Sequence, residues 1–242
     1  MTPTPPRITT HLDFQITPQP DEETCGPACL HSVYRYYNDP MSLQELTTQV
    51  RFLPRGGTLA VYLALHAMNR GYHATIYTCN LRMFDPTWFA PGAPPMRDRL
   101  LEQARVKQDP TLRLATAAYV EFLDRGGRLM MEDLTLELLA QHLQECRPII
   151  AGLNATWLYR CMRERPSDWA DDDVAGVPFG HFVVLHGVDA ARRTIDVADP
   201  HLQHPYPGSR HYTAGADRVI GAILLGIVTY DAKLLILTPP NA

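Results

Sequence analysis

The sequence lacks the features of membrane proteins, secreted proteins and nucleic-acid-binding proteins. Its longest apolar run, residues 219–228, is far shorter than the roughly 20 residues that a membrane-spanning helix needs. Residues 1–10 are rich in Thr and Pro and have no apolar centre, so they do not form a secretory signal peptide. The formal net charge of -4 provides no basic field for nucleic acid or for an anionic membrane surface. We therefore expect neither a membrane nor a nucleic acid as partner.

A disulfide framework and a zinc ribbon are also missing. The five cysteines are an odd number scattered along the chain: Cys25, Cys29, Cys79, Cys146 and Cys161. That distribution is typical of reduced thiols, and it predicts a cytoplasmic protein. No Cys-x-x-Cys pair occurs, which argues against a structural zinc site. The remaining possibility for these cysteines is a single catalytic cysteine that works with a histidine distant in the sequence.

What is present is an ordinary globular composition. The 242 residues are 45% hydrophobic and 20% charged, values typical of a soluble domain with a substantial core. The residue patterns predict helices over 27–37, 42–50, 58–70, 96–107, 111–123 and 135–145, and strands over 72–79, 129–131, 147–153, 182–188 and 194–198. Residues 1–14 are expected to be irregular, residues 81–95 to form a long aromatic loop, and residues 219–237 to close the fold as a helix or a strand pair. Helices thus dominate the first half and antiparallel strands the second, an α+β layout with two facing halves.

The strongest local signal surrounds Cys25. A cysteine placed just before a helix has its thiolate stabilised by the helix dipole and by free backbone N–H groups. Pro27 suits the first turn of that helix, and Gly26 lets the backbone approach closely. Gln19, six residues upstream, is placed to fold back so that its amide and the Cys25 N–H form an oxyanion hole. An isolated Cys-Gly-Pro is more often just a buried cysteine at a helix start. The helix-start geometry and Gln19 together favour the catalytic interpretation.

The second signal is His181, at the start of an apolar strand. Such a histidine is often only structural, so its relation to Asp199 decides the interpretation. A hairpin that pairs Val188 with Arg193 puts His181 opposite Pro200, with Asp199 one step away across the ladder.

Strand parity separates Asp199 from the nearby Asp196. Asp199 shares a face with Ile195 and Val197, which we expect to be buried, whereas Asp196 falls on the other face. Asp199 is therefore the residue predicted to orient His181.

These motifs, taken in order, resemble the C39-type cysteine peptidases and their C39-like relatives, which have a papain-like fold. The matching segments are Gln-x5-Cys-Gly-Pro-Ala, Gly-His-Phe-Val-Val and the later Asp-Pro, together with Tyr-Tyr-Asn before Ser-Leu and Arg-Pro-Ile-Ile before the histidine. The resemblance covers roughly residues 15–80 and 135–200. It implies a Cys-His-Asp triad and an oxyanion donor at four positions: Cys25 as nucleophile, His181 as general base, Asp199 as third member and Gln19 as donor.

The expected function is a cysteine hydrolase, a peptidase or amidase that acts on a peptide or amide substrate through a thioester and needs no cofactor. We expect a single C39-like domain over residues 1–242, in which residues 81–128 are an insertion beyond the minimal C39 domain. Residues 181–207 also resemble phytochelatin synthase, which keeps transfer of the acyl group to an amine open. A binding protein that keeps the fold without catalysis is the alternative from another class. The substrate and the oligomeric state stay open.

Four other features have competing interpretations. Cys29, one helical turn after Cys25, is expected to be a buried packing residue. His201, His204 and His211 follow Asp199, but their spacing matches no standard zinc site, so a solvated turn is favoured. The acidic run at residues 168–173 is expected to be a solvated loop that borders the cleft. Trp88 and Phe89 are either a substrate lid or a hydrophobic anchor.

Overall fold

A twisted sheet forms the centre of the computed structural model, which describes residues 9–54, 56–201, 203–206 and 209–240. The strands are β1 (Thr9–His11), β2 (His73–Thr78), β3 (Arg128–Met130), β4 (Ile149–Asn154), β5 (Gly180–Asp189), β6 (Thr194–Ala198), β7 (His211–Gly215) and β8 (Lys233–Thr238). Their order is β3-β2-β8-β4-β5-β6-β7, and β1 pairs with β5. β2 and β3 run parallel, and the other ladders are antiparallel.

Within the residues that the structure describes, eight α-helices cover this sheet. They are α1 (Cys25–Tyr36), α2 (Leu43–Gln49), α3 (Ala60–Asn69), α4 (Met96–Val106), α5 (Pro110–Asp124), α6 (Leu136–Gln144), α7 (Ala155–Tyr159) and α8 (Ala216–Leu225), with 3-10 helices at Pro86–Phe89 and Gly226–Thr229. Across the described residues, none of these helices combines the length and the apolar character needed to cross a membrane.

The central strands bury both of their faces. Ile150 and Phe182 project into one apolar core, which α1 to α5 complete, while Ile149 and Val183 project into a second core formed with α6, α7 and α8. Because side chains alternate along a strand, the near-continuous apolar runs of β4 and β5 feed both cores. The result is a sheet between two helical layers.

Local signals in the sequence explain where several helices begin and end. Ser42 caps α2 by accepting the Glu45 N–H at 3.1 Å, and Asp109 caps α5 in the same way. Gly71 and Gly126, at φ +86° and +85°, follow α3 and α5, where a left-handed residue is favoured. Most predicted elements are therefore present within a few residues of their expected limits.

Two local predictions are wrong. Thr58 does not cap α3, which begins at Ala60; its hydroxyl instead donates to the Arg51 carbonyl at 2.7 Å. Residues 9–11, expected to be irregular, form β1 because β5 extends past the end of β4 and leaves backbone groups there for another strand. Residues 1–8 lie outside the described residues.

The hairpin register also differs from the prediction. Val188 pairs with Ile195, not with Arg193, and the last pair before the turn is Asp189 with Thr194. The turn moves because Arg193 adopts a left-handed conformation (φ 51°) and the Asp189 carboxylate accepts the Arg192 N–H at 2.9 Å. A bulge between Leu185 and Gly187 then shifts the ladder by one residue. Relative to the predicted pairing, the partner of a β5 residue moves by two positions near the turn and by one position on the His181 side of the bulge.

The α+β class is confirmed, but the separation into two halves is only partial. β2 comes from the first half of the chain and β3 from just after its midpoint, and both join the same sheet as the later strands. Residues 219–237 contain most of α8, then a 3-10 turn, and then most of β8. The segment therefore provides one helix and one strand.

Candidate functional site

Cys25 lies at the N-terminus of α1, with 9% of its surface exposed. The helix begins at Cys25 itself, two residues earlier than predicted. Pro27 fits in the first turn because N–H groups there have no partner inside the helix. Gly26 lies so close to its neighbours that an added Cβ would be 2.5 Å from Thr58 Cγ2. Because α1 begins at Cys25 and is 12 residues long, the positive end of its helix dipole lies at this thiol.

His181 reaches the same place from β5. Its ring is buried, and Nε2 donates to Asp199 Oδ1 at 2.8 Å. Because Nε2 is bound to Asp199, Nδ1 is the ring nitrogen that remains for another partner. Cys25 lies near enough to His181 to contribute to the rise in its pKa. The fold thus joins residues 25, 181 and 199, which come from α1, β5 and the end of β6.

Asp199 is completely buried and accepts four hydrogen bonds. Oδ1 accepts from His181 and from the His201 N–H at 3.0 Å. Oδ2 accepts from the hydroxyls of Tyr159 at 2.7 Å and Tyr212 at 2.9 Å. Sequence reasoning missed both tyrosines, because they lie 40 and 13 residues from Asp199 and no local pattern connects them to it.

His181 and Asp199 each stabilise the charged form of the other. Burial by itself lowers the pKa of His181, but the charge and hydrogen bond of Asp199, with a contribution from Cys25, raise it to about 10. Burial likewise raises the pKa of Asp199, yet the His181 charge and the bonds from His181 and Tyr159 hold that pKa well below its usual range. An imidazolium beside an ionised Asp199 is therefore the favoured resting form.

Gln19 is buried close to this group and is held by local bonds. Its backbone N–H donates to the Pro200 carbonyl at 3.0 Å, next to Asp199. Its side-chain Nε2 donates to the Asp21 carbonyl at 2.8 Å, which uses one of the two N–H groups of the amide. Within the described part of the chain, Gln19 Oε1 is buried without a hydrogen-bond partner.

Asp196 lies on the opposite side of the sheet from Asp199. It accepts hydrogen bonds from His11 Nδ1 at 3.0 Å and from the Thr213 hydroxyl at 2.8 Å. Both partners lie on edge segments of the sheet, β1 and β7. The two carboxylates, three residues apart, thus have separate surroundings, as strand parity requires.

The three histidines after Asp199 do not converge. His201 packs edge-on to His181 with ring centroids 5.9 Å apart, and His204 packs on Tyr212 at 5.0 Å. His211 instead lies beside His186, with Nδ1 3.3 Å from Nε2. Of the residues that the structure describes, no three or more His, Cys, Asp or Glu side chains are placed to hold a metal ion together.

The remaining features are placed as follows. Cys29 is buried and its thiol donates to the Phe182 carbonyl at 3.3 Å, so it is a packing residue. Trp88 and Phe89 pack against the first apolar core, which favours the anchor interpretation over a lid. In the acidic loop, the backbone of Asp171 forms an isolated antiparallel β-bridge with Glu164. Burial raises the pKa of Glu164, with Glu22 and Asp171 adding to the shift and His181 opposing it.

A family model and several solved structures are similar to this chain. The model of the peptidase C39 family matches residues 13–91, about a third of the chain, including Gln19 and Cys25. No curated protein matches the sequence.

Three solved structures are similar over most of the chain. A candidate C39-like peptidase from Bacillus anthracis has a TM-score of 0.52 at 12% identity, covering 95% of this chain and 97% of its own. The peptidase domain of the Streptococcus transporter ComA has a TM-score of 0.44 at 15% identity, covering 93% and 98%. A double-glycine-motif protease from an AMS/PCAT transporter, solved with a leader peptide, has a TM-score of 0.45 at 15% identity, covering 95% and 94%. The first of these likenesses supports a papain-like fold.

Proposed function

We propose that this C39-like cysteine peptidase hydrolyses a peptide or amide bond with Cys25 as nucleophile, His181 as general base and Asp199 as orienting acid. The observation that supports the proposal best is the hydrogen bond of 2.8 Å between His181 Nε2 and Asp199 Oδ1. It assigns the proton of Nε2 and leaves Nδ1 to exchange a proton with Cys25.

The reaction then has two halves. The Cys25 thiolate attacks the substrate carbonyl, and the C–N bond of the tetrahedral intermediate breaks while His181 Nδ1 gives its proton to the leaving amine. The thioester is next attacked by a water molecule, whose proton passes to Nδ1. The C–S bond breaks, the acid product leaves, and the thiolate–imidazolium pair is restored.

Asp199 supports both halves through position and charge. Its four hydrogen bonds hold the carboxylate ionised and rigid, so that the imidazolium formed at His181 is stabilised without the proton moving to Asp199. Tyr159 and Tyr212 are positioning residues, since their hydroxyls bind Asp199 and act through it.

The oxyanion is stabilised by the Cys25 N–H at the start of α1 and by the second N–H of Gln19. A single such donor is typically worth about 3 kcal/mol of transition-state stabilisation. Gln19→Ala is therefore expected to slow the reaction while leaving some activity.

The proposal is tested with a peptide-library cleavage screen on the wild type and on Cys25→Ala. We expect the variant to keep its fold and to lose all turnover, because no other group supplies the nucleophile. Cys29→Ala is the matched control, since Cys29 is one helical turn away and has a packing role. Wild-type turnover by Cys25→Ala would refute the assignment.

Labelling of the thiols provides a second test that needs no substrate. At mildly acidic pH, Cys25 should react with an alkylating probe far faster than the other four cysteines, because only Cys25 lies beside His181. Mass spectrometry of the labelled peptides measures the rates. Equal labelling of Cys25 and the exposed Cys146 would contradict an activated thiol.

A further inference from the structure

An open pocket lies where the end of α7, the loop before β7 and the start of α8 meet. Its volume is about 460 Å³. Neither Cys25 nor His181 is among the described residues that line it. Tyr159 lines it, and the hydroxyl of that residue binds Asp199 at 2.7 Å. The pocket is therefore a neighbour of the proposed catalytic site with its own set of side chains.

The charged side chains that line the pocket, among the described residues, are both arginines: Arg160 and Arg218. Neither guanidinium takes part in a salt bridge within the described part of the chain. Asp217, next to Arg218 in the sequence, has a side chain that is 82% exposed and pairs with Arg193 at 2.6 Å. The pocket therefore carries two positive charges that no described carboxylate pairs with, and it favours an anion.

Trp157 holds Arg218 in place. Nη1 of Arg218 donates to the Trp157 carbonyl at 2.9 Å, and its guanidinium carbon lies 5.0 Å from the centroid of the Trp157 ring. The indole packs against α8 at Gly221, where an added Cβ would lie 3.0 Å from Trp157 Nε1. The bond to the carbonyl uses one of the five N–H donors of the guanidinium. A planar group fixed in this way suits the two oxygens of a carboxylate.

Tyr206 and Pro205 form an apolar wall of the pocket. The ring of Tyr206 stacks on Tyr212 with centroids 4.0 Å apart, and its hydroxyl donates to the Leu158 carbonyl at 2.9 Å. Both contacts fix the ring, so this wall is formed before any ligand binds. It suits the apolar body of a molecule whose charged end lies at the arginines.

Another wall is the edge of the sheet. Thr213, Ala214 and Gly215 end β7, and all three line the pocket. Because consecutive side chains point to opposite faces, three residues in a row indicate that the edge of the strand faces the pocket. Among the described strands β7 is the last of the sheet, with β6 on one side. The Thr213 hydroxyl is bound to Asp196 at 2.8 Å, so this wall offers mainly backbone groups, as an extended peptide requires.

We propose that this pocket binds the carboxylate of an organic anion, with Arg160 and Arg218 holding the carboxylate and Tyr206 packing against its apolar body. The C-terminal residue of a peptide has this chemistry, and so does a free acid of similar size. A peptide end would continue along the edge of β7. Binding requires neither Cys25 nor His181, so the inference goes beyond the proposed function and does not depend on it.

A pair of probes tests the pocket. N-acetylphenylalanine and its C-terminal amide have nearly the same shape and differ in charge. They are titrated into the full chain carrying Cys25→Ala, labelled with nitrogen-15, and binding is followed by nuclear magnetic resonance. The acid should shift the amide signals of Thr213 and Gly215, and it should bind about tenfold or more tightly than the amide, the size typical of a hydrogen bond to a charged group. Equal affinity for the two probes, or shifts that spare these signals, would overturn the proposal.

Single substitutions assign the charge to its source. Arg160→Gln and Arg218→Gln should each weaken binding of the acid by about tenfold and change binding of the amide by less than about twofold. Arg192→Gln is the matched control: its side chain is 83% exposed on the turn between β5 and β6, and its loss should change neither affinity. Unchanged binding of the acid in both pocket variants would refute the assignment. If a variant does not fold, the comparison of acid with amide still decides the proposal.

A longer probe distinguishes the two sources of the carboxylate. It is an acetylated tripeptide acid that ends in the same residue. Tighter binding of the tripeptide than of the single residue supports a peptide end along β7, and equal binding supports a small free acid in the same pocket. If neither acid binds, the proposal is wrong, whatever the cleavage screen shows for Cys25.

Discussion

Asp196 and Asp199 show how far the position of a residue decides its chemistry. Asp199 is completely buried and bound by four donors, whereas the side chain of Asp196 is 30% exposed at the sheet surface. The pKa of Asp199 is lowered against a large burial effect, chiefly by His181. Residues of one type, three positions apart, therefore differ in what they contribute to the site.

Exchange of each carboxylate for an amide separates their roles. Asp199→Asn is expected to lower kcat by three to four orders of magnitude, roughly the loss seen when a triad carboxylate is replaced, because the imidazole then takes the wrong tautomer. Asp196→Asn should leave kcat unchanged within about twofold. Steady-state kinetics on a cleaved peptide measures both. A larger loss from Asp196→Asn than from Asp199→Asn would show that the triad is misassigned.

At the scale of the element, the start of α1 is set by its contact with its neighbours. Gly26 lies between the Thr58 methyl group and the Phe182 ring, so the helix can bring Cys25 up to β5. The contact joins α1 to the strand of His181, and the spacing of nucleophile and base depends on it.

Gly26→Ala tests this contact. The new methyl group would lie 2.5 Å from Thr58 Cγ2 and 3.3 Å from Phe182 Cδ2, so we expect α1 to shift. Such overpacking typically costs about 1–3 kcal/mol of unfolding free energy. Activity should fall further than stability, because the Cys25–His181 geometry changes. Chemical denaturation and kinetics measure the two effects.

Removal of the opposing methyl group is the control for that variant. Gly26→Ala combined with Thr58→Ser should recover part of both stability and activity, since the hydroxyl that binds Arg51 is kept. No recovery in the double variant would mean that the clash with Thr58 is not the cause.

At the scale of the whole molecule, stability depends on histidines that the fold keeps neutral. Burial lowers the pKa of His31, His66, His142, His186, His201 and His211, that of His186 to about 4. A histidine whose pKa is lower in the folded state contributes stability above its unfolded pKa of 6.5 and loses it as the pH falls toward the folded value. His181 has the opposite sign, and its contribution is lost as the pH rises through about 10.

The unfolding free energy should therefore be highest near neutral pH and fall steadily from pH 6.5 to pH 4. Urea denaturation at half-unit pH intervals measures the curve. His186→Gln should flatten its acidic side, because the group with the largest downward shift is removed. A wild-type free energy that is constant from pH 7 to pH 4 would contradict the neutral state of these histidines.

Part of the site follows from the sequence because the signals are local. The helix after Cys25, the cap at Ser42 and the buried strand at residues 149–154 depend on neighbours within a few positions. Strand parity predicts that Asp199 faces His181 and that Asp196 does not, and the structure has that arrangement. The α+β fold is confirmed, and the peptidase C39 family model matches residues 13–91; the catalytic roles of residues 19, 25, 181 and 199 stay predictions.

The sequence by itself determined the order of the elements, the position of Cys25 at a helix start and the burial of Asp199, since each depends on periodicity along a short segment. Only the tertiary structure decided the hairpin register, the pairing of β1, and the approach of Tyr159 and Tyr212 to the site. The register depends on a bulge and a left-handed turn residue, which periodicity does not encode. The other contacts join segments tens of residues apart, and those meet only when the sheet order has placed their strands and helices side by side.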